Sequence, residues 1–185
     1  MHFFIIIIAK LSAKINPFNK PDDKKKTFYE ISDNLLRFYY TYVYKNKSAL
    51  QMLGASTFYD TYIAPSITTF ISHRFEDICR SYFSLSVQNG NLKGVYNIGT
   101  LYYDDSINKT NGEFDVALQK KDCYDIYEVK YLSVPLDMKS MEQEEKQISV
   151  INGLKIGTIG FISVSGFETI PSKYTCISGN ELYEI

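Results

Sequence analysis

Apolar and polar residues along the first third of the chain predict a hairpin followed by a helix. Two β-prone runs, residues 15–18 and 27–31, flank a polar loop rich in Lys and Asp, a pattern that indicates two paired strands. A Ser-Asp pair then precedes an aromatic-rich helix at residues 34 to about 44, because both residue types favour the position before a helix. The earlier apolar run at residues 3–8 is too short to cross a bilayer, so we interpret it as a buried strand or the end of a helix.

The middle of the chain predicts a connection and then a long amphipathic helix. Residues 46–57 are mixed in character around Gly54 and predict a connection without regular structure. Pro65 marks the start of a helix that runs to about Phe83, since proline is favoured in the first helical turn. Apolar side chains recur on this helix at helical spacing, at Ile67, Ile71, Phe75, Ile78 and Tyr82. Glu76 lies beside this stripe, either as an ordinary carboxylate at the rim of the helix or as an acidic contact to a metal site.

Beyond a turn at residues 89–91, the pattern predicts a sheet with one more helix. The predicted elements are strands at residues 95–103, 112–118, 126–131 and 155–165, a polar loop at residues 104–110, a helix from residue 135 to about 152, and a weakly patterned tail at residues 168–185. Acidic residues interrupt the apolar stripe of that helix between Met141 and Ile148. Glu144 and Gln147 are therefore candidates for contact with a wet site, and a solvated helix edge is the alternative.

Acidic and basic side chains lie at related positions of two neighbouring predicted strands. Side chains two apart in a strand share a face, so Glu128 and Lys130 point the same way. A hairpin through residues 119–123 could bring Asp115 beside Glu128. Two carboxylates next to an ammonium group are the components of metal-assisted phosphodiester cleavage. The alternative is an ordinary polar strand face with a cross-strand ion pair.

Two adjacent carboxylates favour a divalent cation between them. Each carboxylate resists ionisation beside the other unless a cation neutralises the pair. Mg²⁺ fits this arrangement because it binds one or two carboxylates and keeps several waters. A neighbouring lysine could orient or deprotonate the attacking water, or it could stabilise the charge that develops on the phosphate.

Composition narrows the class of protein without identifying a partner. The 185 residues suit one domain or one domain with a small appendage, and 45% apolar residues are enough for a core. A net charge of −1 provides no overall attraction to nucleic acid, and the basic run at residues 24–26 is typical of a solvated loop. The three cysteines form no Cys-x-x-Cys pair, and the two histidines are too few to suggest a zinc site. We therefore expect reduced thiols, a cytoplasmic location and no membrane contact.

Four segments of the chain resemble a known family. They are residues 29–39, 75–80, 112–115 and 128–130, within a similarity that covers roughly residues 10–165. The order of a helix, three strands, a helix and a strand resembles the restriction-endonuclease-like, or PD-(D/E)xK, nuclease superfamily. More narrowly, the chain resembles the DUF234 domain, the C-terminal part of archaeal and bacterial AAA-type ATPases.

The resemblance implies an α/β fold with a restriction-endonuclease-like core, a mixed central sheet flanked by helices, at residues 46–185. It implies that residues 1–45 are the remnant wing hairpin of a winged-helix domain with a linking aromatic helix. One feature of such ATPases is missing, because no Gly-x-x-x-x-Gly-Lys-Ser/Thr sequence occurs. The ATP-binding module is therefore absent, and we interpret the chain as a detached or truncated C-terminal part or as a gene remnant.

The resemblance also implies roles for individual residues. Asp115 and Glu128 would be metal ligands, and Lys130 would orient the attacking water. Glu76 would match the acidic residue of the first core helix and add a third acidic contact to the metal. Gln147 would match a polar residue on the helix after the Glu-x-Lys strand.

Two functions of different classes follow. The first is a DNA endonuclease domain that depends on Mg²⁺ or Mn²⁺. The second is a non-catalytic interaction module that binds a partner AAA-type ATPase, or nucleic acid, through the aromatic helix at residues 34–44. The intact set of two carboxylates and a lysine favours the nuclease. The missing ATPase motor and the absence of a broad basic surface favour the interaction module.

Overall fold

A computed structural model describes residues 12–184 of the chain, so the apolar run at residues 3–8 lies outside the described residues. In chain order the strands are β1 (Ser12–Ile15), β2 (Phe28–Ile31), β3 (Asn97–Asp105), β4 (Thr110–Gln119), β5 (Tyr124–Lys130), β6 (Ile156–Ser163) and β7 (Thr175–Ser178). The α-helices are α1 (Asn34–Phe38), α2 (Lys47–Phe58), α3 (Ala64–Gln88) and α4 (Met138–Ser149). Further helical segments are π-helical turns at Tyr39–Val43 and Tyr59–Ile63 and 3₁₀ turns at Tyr44–Asn46 and Glu181–Tyr183.

The described chain forms two compact units. One unit comprises residues 12–16 and 21–71, and the other comprises residues 17–20 and 72–184. The boundary lies within α3, so one continuous helix contributes to both units. The domain division that the sequence suggests after residue 45 stays a prediction.

The first unit begins with the expected hairpin and helix. Strands β1 and β2 pair in antiparallel orientation, so the hairpin is confirmed, but its first strand lies at Ser12–Ile15 and not at the predicted residues 15–18. Asp33 caps α1, because its carboxylate accepts a hydrogen bond from the backbone N–H of Leu36 at 2.8 Å. Helical conformation then continues as far as Asn46, close to the predicted end. The buried core residues of this unit are Tyr42, Phe58 and Ile63.

The connection predicted at residues 46–57 is wrong, because this stretch forms α2. Ala, Leu, Gln and Met are good helix formers, and they occupy much of the helix. Gly54 has φ 71° and ψ 168°, a backbone conformation that favours glycine and bends the helix at that point. The glycine therefore marks a kink between two helical stretches and not a loop.

The second unit is built on a five-stranded mixed sheet in the order β3-β4-β5-β6-β7. The pairs β3–β4 and β4–β5 are antiparallel, whereas β5–β6 and β6–β7 are parallel. One face of the sheet packs against α3 through Phe75, Cys79 and Phe83. The other face packs against α4 through Met141 and Ile148. A mixed α/β fold with a central sheet between helices is therefore confirmed.

The apolar stripe predicted for α3 is confirmed at Phe75 and wrong at Ile71 and Ile78. Phe75, Cys79 and Phe83 are buried at a spacing of four residues, which is the spacing of one helix face. Ile71 and Ile78 are instead 37% and 40% exposed. The helix face that packs against the sheet is therefore the one that carries Phe75, Cys79 and Phe83.

Helix α4 begins at Met138 and not at residue 135, because Asp137 is the residue that caps it. The Asp137 carboxylate accepts hydrogen bonds from the backbone N–H of Ser140 at 2.9 Å and from its hydroxyl at 2.7 Å. Met141 and Ile148 are buried, which confirms the predicted apolar stripe at these two positions.

A β-bulge interrupts the pairing of β3 with β4. The pairs on either side of the bulge are Gly99 with Ala117 and Leu101 with Phe114. Two residues of β4, Asp115 and Val116, therefore lie opposite Thr100 alone. The bulge coincides with the acidic residue that the sequence places in the candidate site.

Candidate functional site

The β4–β5 hairpin places the acidic residues of the two strands next to each other, as expected. Val116 pairs with Tyr127, and Asp115 and Glu128 are the residues that adjoin this pair on the two strands. The negative charge of Asp115 raises the pKa of Glu128, and the positive charge of Lys130 acts to lower the pKa of both carboxyl groups. The structure therefore brings these three predicted residues together.

Asp115 interacts with elements on both sides of the sheet. On the α3 side, its charge raises the pKa of Glu76, and the charges of Arg80 and His73 act to lower the pKa of Asp115 itself. On the other side, it interacts with Lys130 of β5. A β-bulge changes the direction of the strand and its side chains at one point, and we attribute this double contact to the bulge at Asp115.

Lys130 is held between two carboxylates. Its Nζ lies 2.6 Å from Oε1 of Glu144 on α4 and 3.5 Å from Oε2 of Glu128 on its own strand. Burial acts to lower the pKa of Lys130, but the hydrogen bond to Glu144 and the charges of Glu128 and Glu144 together raise it. Lys130 is therefore positively charged at neutral pH. It can donate hydrogen bonds to a water or a phosphate oxygen, but it cannot accept a proton.

Glu128 is the most strongly perturbed carboxyl group of the site. Its side chain is 16% exposed, and its pKa is raised to about 7. Burial is the largest cause, the charges of Asp115 and Glu144 add to it, and the charge of Lys130 opposes it. An additional cation beside Glu128 would favour the ionised form.

Glu76 and Asp115 form a second acidic contact, between α3 and β4. Burial raises the pKa of both carboxyl groups, and the charge of Asp115 raises the pKa of Glu76 further. His73 opposes this effect at Glu76, with its Nδ1 3.3 Å from Oε1. Together with Glu128, three partly buried carboxyl groups therefore lack full compensation by positive charge.

Arg80 connects α3 to the bulge and is a residue that the sequence argument did not assign to the site. Its Nη1 donates a hydrogen bond to the backbone carbonyl of Asp115 at 2.6 Å, and its Nη2 donates to Oδ1 of Asp77 at 2.6 Å. Its spacing of four from Glu76 puts both residues on one side of the helix, which is the sequence signal that could have identified it. The partner carbonyl could not be inferred from the sequence.

Helix α4 carries two candidate residues, Glu144 and Gln147, and only Glu144 lies at the site. Glu144 contacts Lys130 directly. The sequence predicts only that Glu144 is a candidate for contact with a wet site. Gln147 is exposed on the same helix, and no hydrogen bond within residues 12–184 joins it to the carboxylates. The structure does not bring Gln147 into the group, and its role stays a prediction.

The donor chemistry of the site fits a hard divalent cation. Within residues 12–184, no group of three or more His, Cys, Asp or Glu side chains is arranged to hold a metal ion. A pair of carboxylates is nevertheless sufficient for Mg²⁺, which completes its coordination with water. Asp115 and Glu128 are such a pair, and burial is the largest cause of the raised pKa of each carboxyl group.

Comparison with known proteins identifies one relationship. DUF234, a family described as archaeal and bacterial proteins of unknown function, matches residues 39–148. The match extends from the π-helical turn after α1 into α4, and it includes all the candidate site residues. No curated protein and no solved structure matches the chain. Across the described part of the chain, no helix has the length and apolar character needed to span a membrane.

Proposed function

The chain belongs to the DUF234 family, and we propose that it is a deoxyribonuclease domain that depends on Mg²⁺ or Mn²⁺. One observation carries the proposal. Asp115 and Glu128 adjoin the paired residues Val116 and Tyr127 on adjacent strands and have raised pKa values, and the charged Lys130 lies between Glu128 and α4. Buried carboxylates that repel each other beside an ammonium group suit a metal ion and a phosphate better than they suit a polar strand surface.

The residues have separate roles in this proposal. Asp115 and Glu128 hold the cation, and Glu76 contacts the cation or its waters from α3. When bound, the cation would supply a Lewis acid for a phosphoryl oxygen and a bound water of lowered pKa. Lys130, which is protonated, orients the attacking water and donates to a phosphate oxygen. Glu144 fixes the position of Lys130 through the hydrogen bond of 2.6 Å.

The fold and its context belong to the same proposal. We infer a restriction-endonuclease-like core, supported by the order α3, β3, β4, β5, α4, β6 and by the helices on both faces of the mixed sheet. We interpret the β1–β2 hairpin as the remnant wing of a winged-helix domain. An AAA-type ATPase module would then be the partner of this domain.

A plasmid-nicking assay tests the activity. Wild-type protein should nick supercoiled DNA in Mg²⁺ or Mn²⁺ and should not do so in EDTA. Glu128→Ala removes a metal ligand and Lys130→Ala removes the donor to water and phosphate, so each should lower the rate by at least about a hundredfold. Glu113→Ala is the matched control, because Glu113 is an exposed carboxylate on the same strand as Asp115 and should leave the rate unchanged.

Nicking that is equally fast in wild type and Glu128→Ala would come from another protein in the preparation and would contradict the proposal. The second candidate function, a non-catalytic interaction module, would then be favoured. Its support is the set of exposed aromatic side chains in the first unit, of which Tyr40 and Tyr44 are 46% and 52% exposed.

A further inference from the structure

Three tyrosines and a lysine form a surface cluster in the first unit, at the junction of α1 and α2. The ring centroids of Tyr39 and Tyr40 are 5.4 Å apart, those of Tyr40 and Tyr44 are 5.1 Å apart, and those of Tyr39 and Tyr44 are 6.1 Å apart. The Nζ of Lys47 lies 5.6 Å from the Tyr39 centroid and 5.0 Å from the Tyr44 centroid. We call these four residues the tyrosine cluster.

The tyrosine cluster is separate from the core of its own unit. Tyr40 is 46% exposed and Tyr44 is 52% exposed, whereas the neighbouring Tyr42 is 5% exposed and packs in the core. The sequence places four tyrosines within six residues, but only one of them is needed to fill the interior. Core packing therefore accounts for Tyr42 and leaves the exposed rings unexplained.

A π-helical turn explains how the rings come together. The backbone N–H of Tyr44 donates to the carbonyl of Tyr39, a bond that spans five residues in place of the usual four. This wider turn, Tyr39–Val43, places residues 39 and 44 in one row along the helix. Single π-helical turns are rare and occur frequently at functional sites.

The chain segment that carries the tyrosine cluster has charged side chains of one sign only. Residues 34–59 contain Arg37, Lys45 and Lys47 and no Asp or Glu, although the whole chain has a net charge of −1. Arg37 pairs with Glu30 at 3.1 Å, whereas Lys45 and Lys47 are exposed. The aromatic rings are thus bordered by ammonium groups, with no carboxylate on the same stretch of chain to neutralise them.

We propose that the tyrosine cluster, with Lys45 beside it, binds single-stranded nucleic acid. Unpaired bases stack on aromatic rings without regard to sequence, and adjacent ammonium groups contact the phosphates. A duplex would not use the rings, because its bases are already stacked on one another. The charge complementarity favours this polyanion over an apolar protein surface. The inference is independent of the proposed metal site, which lies in the other compact unit.

Fluorescence anisotropy in EDTA tests the inference, with a labelled oligo-dT of about 20 nucleotides and a duplex of the same length. The full chain should bind the single strand more tightly than the duplex. Tyr40→Ala and Tyr44→Ala should each weaken binding by about fivefold or more, because each removes a stacking ring. Tyr40→Phe and Tyr44→Phe keep the ring and should bind like wild type. Lys47→Ala should reduce the dependence of log K on log salt by about 0.7.

Two further variants separate this surface from other parts of the molecule. Tyr96→Ala removes a tyrosine that is 71% exposed in the second unit and should not change binding. Glu128→Gln should bind the oligonucleotide like wild type, so a failed nuclease proposal and a failed binding proposal can be told apart. The melting temperature of each variant reports whether it is folded, and the Phe variants retain the test if an Ala variant unfolds.

Three results would overturn the inference. They are the absence of oligo-dT binding by folded wild-type protein, equal binding by the Ala and Phe variants, and a preference for duplex. Self-association that disappears in the Ala variants, without any oligonucleotide binding, would assign the surface to a protein contact instead.

Discussion

The carboxyl group of Glu128 shows how the site depends on the burial of a single residue. Its pKa is raised to about 7 in the folded chain, first by burial and then by Asp115 and Glu144. In the unfolded chain the pKa returns to the ordinary value for Glu, about 4.3. Between these two values the folded state binds more protons than the unfolded state, so the free energy of unfolding falls as pH rises.

This sign leads to a prediction for Glu128→Gln, which keeps the shape of the side chain and cannot ionise. Below about pH 4 the stabilities of wild type and variant should differ by a constant amount. As pH rises from about 4 to about 7, the variant should gain up to about 4 kcal/mol on wild type, because each pKa unit between about 4.3 and about 7 corresponds to about 1.4 kcal/mol. Urea unfolding in EDTA at a series of pH values measures the difference, with Glu113→Gln as the exposed control. A difference that is constant from acid to alkaline pH would contradict the proposed burial of charge.

At the scale of elements, the parts of the site that follow strand periodicity could be predicted and the parts that break it could not. The alternation in the segments around Asp115 and Glu128 predicts two strands, and the short polar link between them predicts their hairpin. The bulge at Asp115 is a local loss of that alternation, so the pattern contains no sign of it. The contact of Lys130 with Glu144 could not be predicted from the sequence either, because it depends on how α4 packs across the sheet.

The helices also combine features that could be predicted from the sequence with features that could not. Asp33 and the residues after it predict α1, since the capping chemistry is local. Gly54 indicates a break and so predicts a connection at residues 46–57, whereas the helix formers around it and the core at Phe58 favour α2. For α3 the prediction of the helix and of buried Phe75 is confirmed, and Ile71 and Ile78 are exposed because several faces carry apolar side chains and packing selects one of them.

The contact between α3 and the bulge leads to a prediction for Arg80. Its guanidinium donates at the same time to the Asp115 carbonyl and to Asp77, and a lysine cannot span both acceptors. Arg80→Lys keeps the charge but should release the bulge, so that the affinity for Mg²⁺ falls by about tenfold, as for other residues that orient metal ligands. Isothermal titration with Mg²⁺ measures the affinity, and urea unfolding in EDTA measures any separate loss of stability.

Arg74→Lys is the matched control for this effect. Arg74 lies on the same helix and pairs with the same acid, Asp77, at 3.1 Å. Arg74→Lys should therefore leave the affinity for Mg²⁺ unchanged. Equal affinities in wild type and Arg80→Lys would show that the Arg80 contact supports the fold and does not position Asp115.

At the scale of the whole molecule, the repulsion among Glu76, Asp115 and Glu128 couples metal binding to folding. An ion that binds only the folded site must stabilise the chain by mass action, by about 1.4 kcal/mol at ten times the dissociation constant. For a chain of this size we expect the melting temperature to rise by roughly 3 to 6 °C in excess Mg²⁺ or Mn²⁺. Because the ligands must be ionised, the rise should be larger at about pH 8 than at about pH 6, on the two sides of the Glu128 pKa of about 7.

Variants then separate metal binding from chemistry within the same melting experiment. Glu128→Ala should abolish the metal-induced rise, and in EDTA it should melt no lower than wild type above pH 7, since one of the repelling charges is gone. Lys130→Ala should melt lower in EDTA, because it leaves Glu144 and Glu128 without their shared cation, yet it should keep its own rise with Mg²⁺. Lys130 acts on water and phosphate in the proposed mechanism, so this variant should bind the metal and fail to nick DNA. A wild-type melting temperature that is unchanged by millimolar Mg²⁺ and Mn²⁺ at about pH 8 would remove the metal site from the proposal, and the oligonucleotide assay on the tyrosine cluster would then be the remaining route to function.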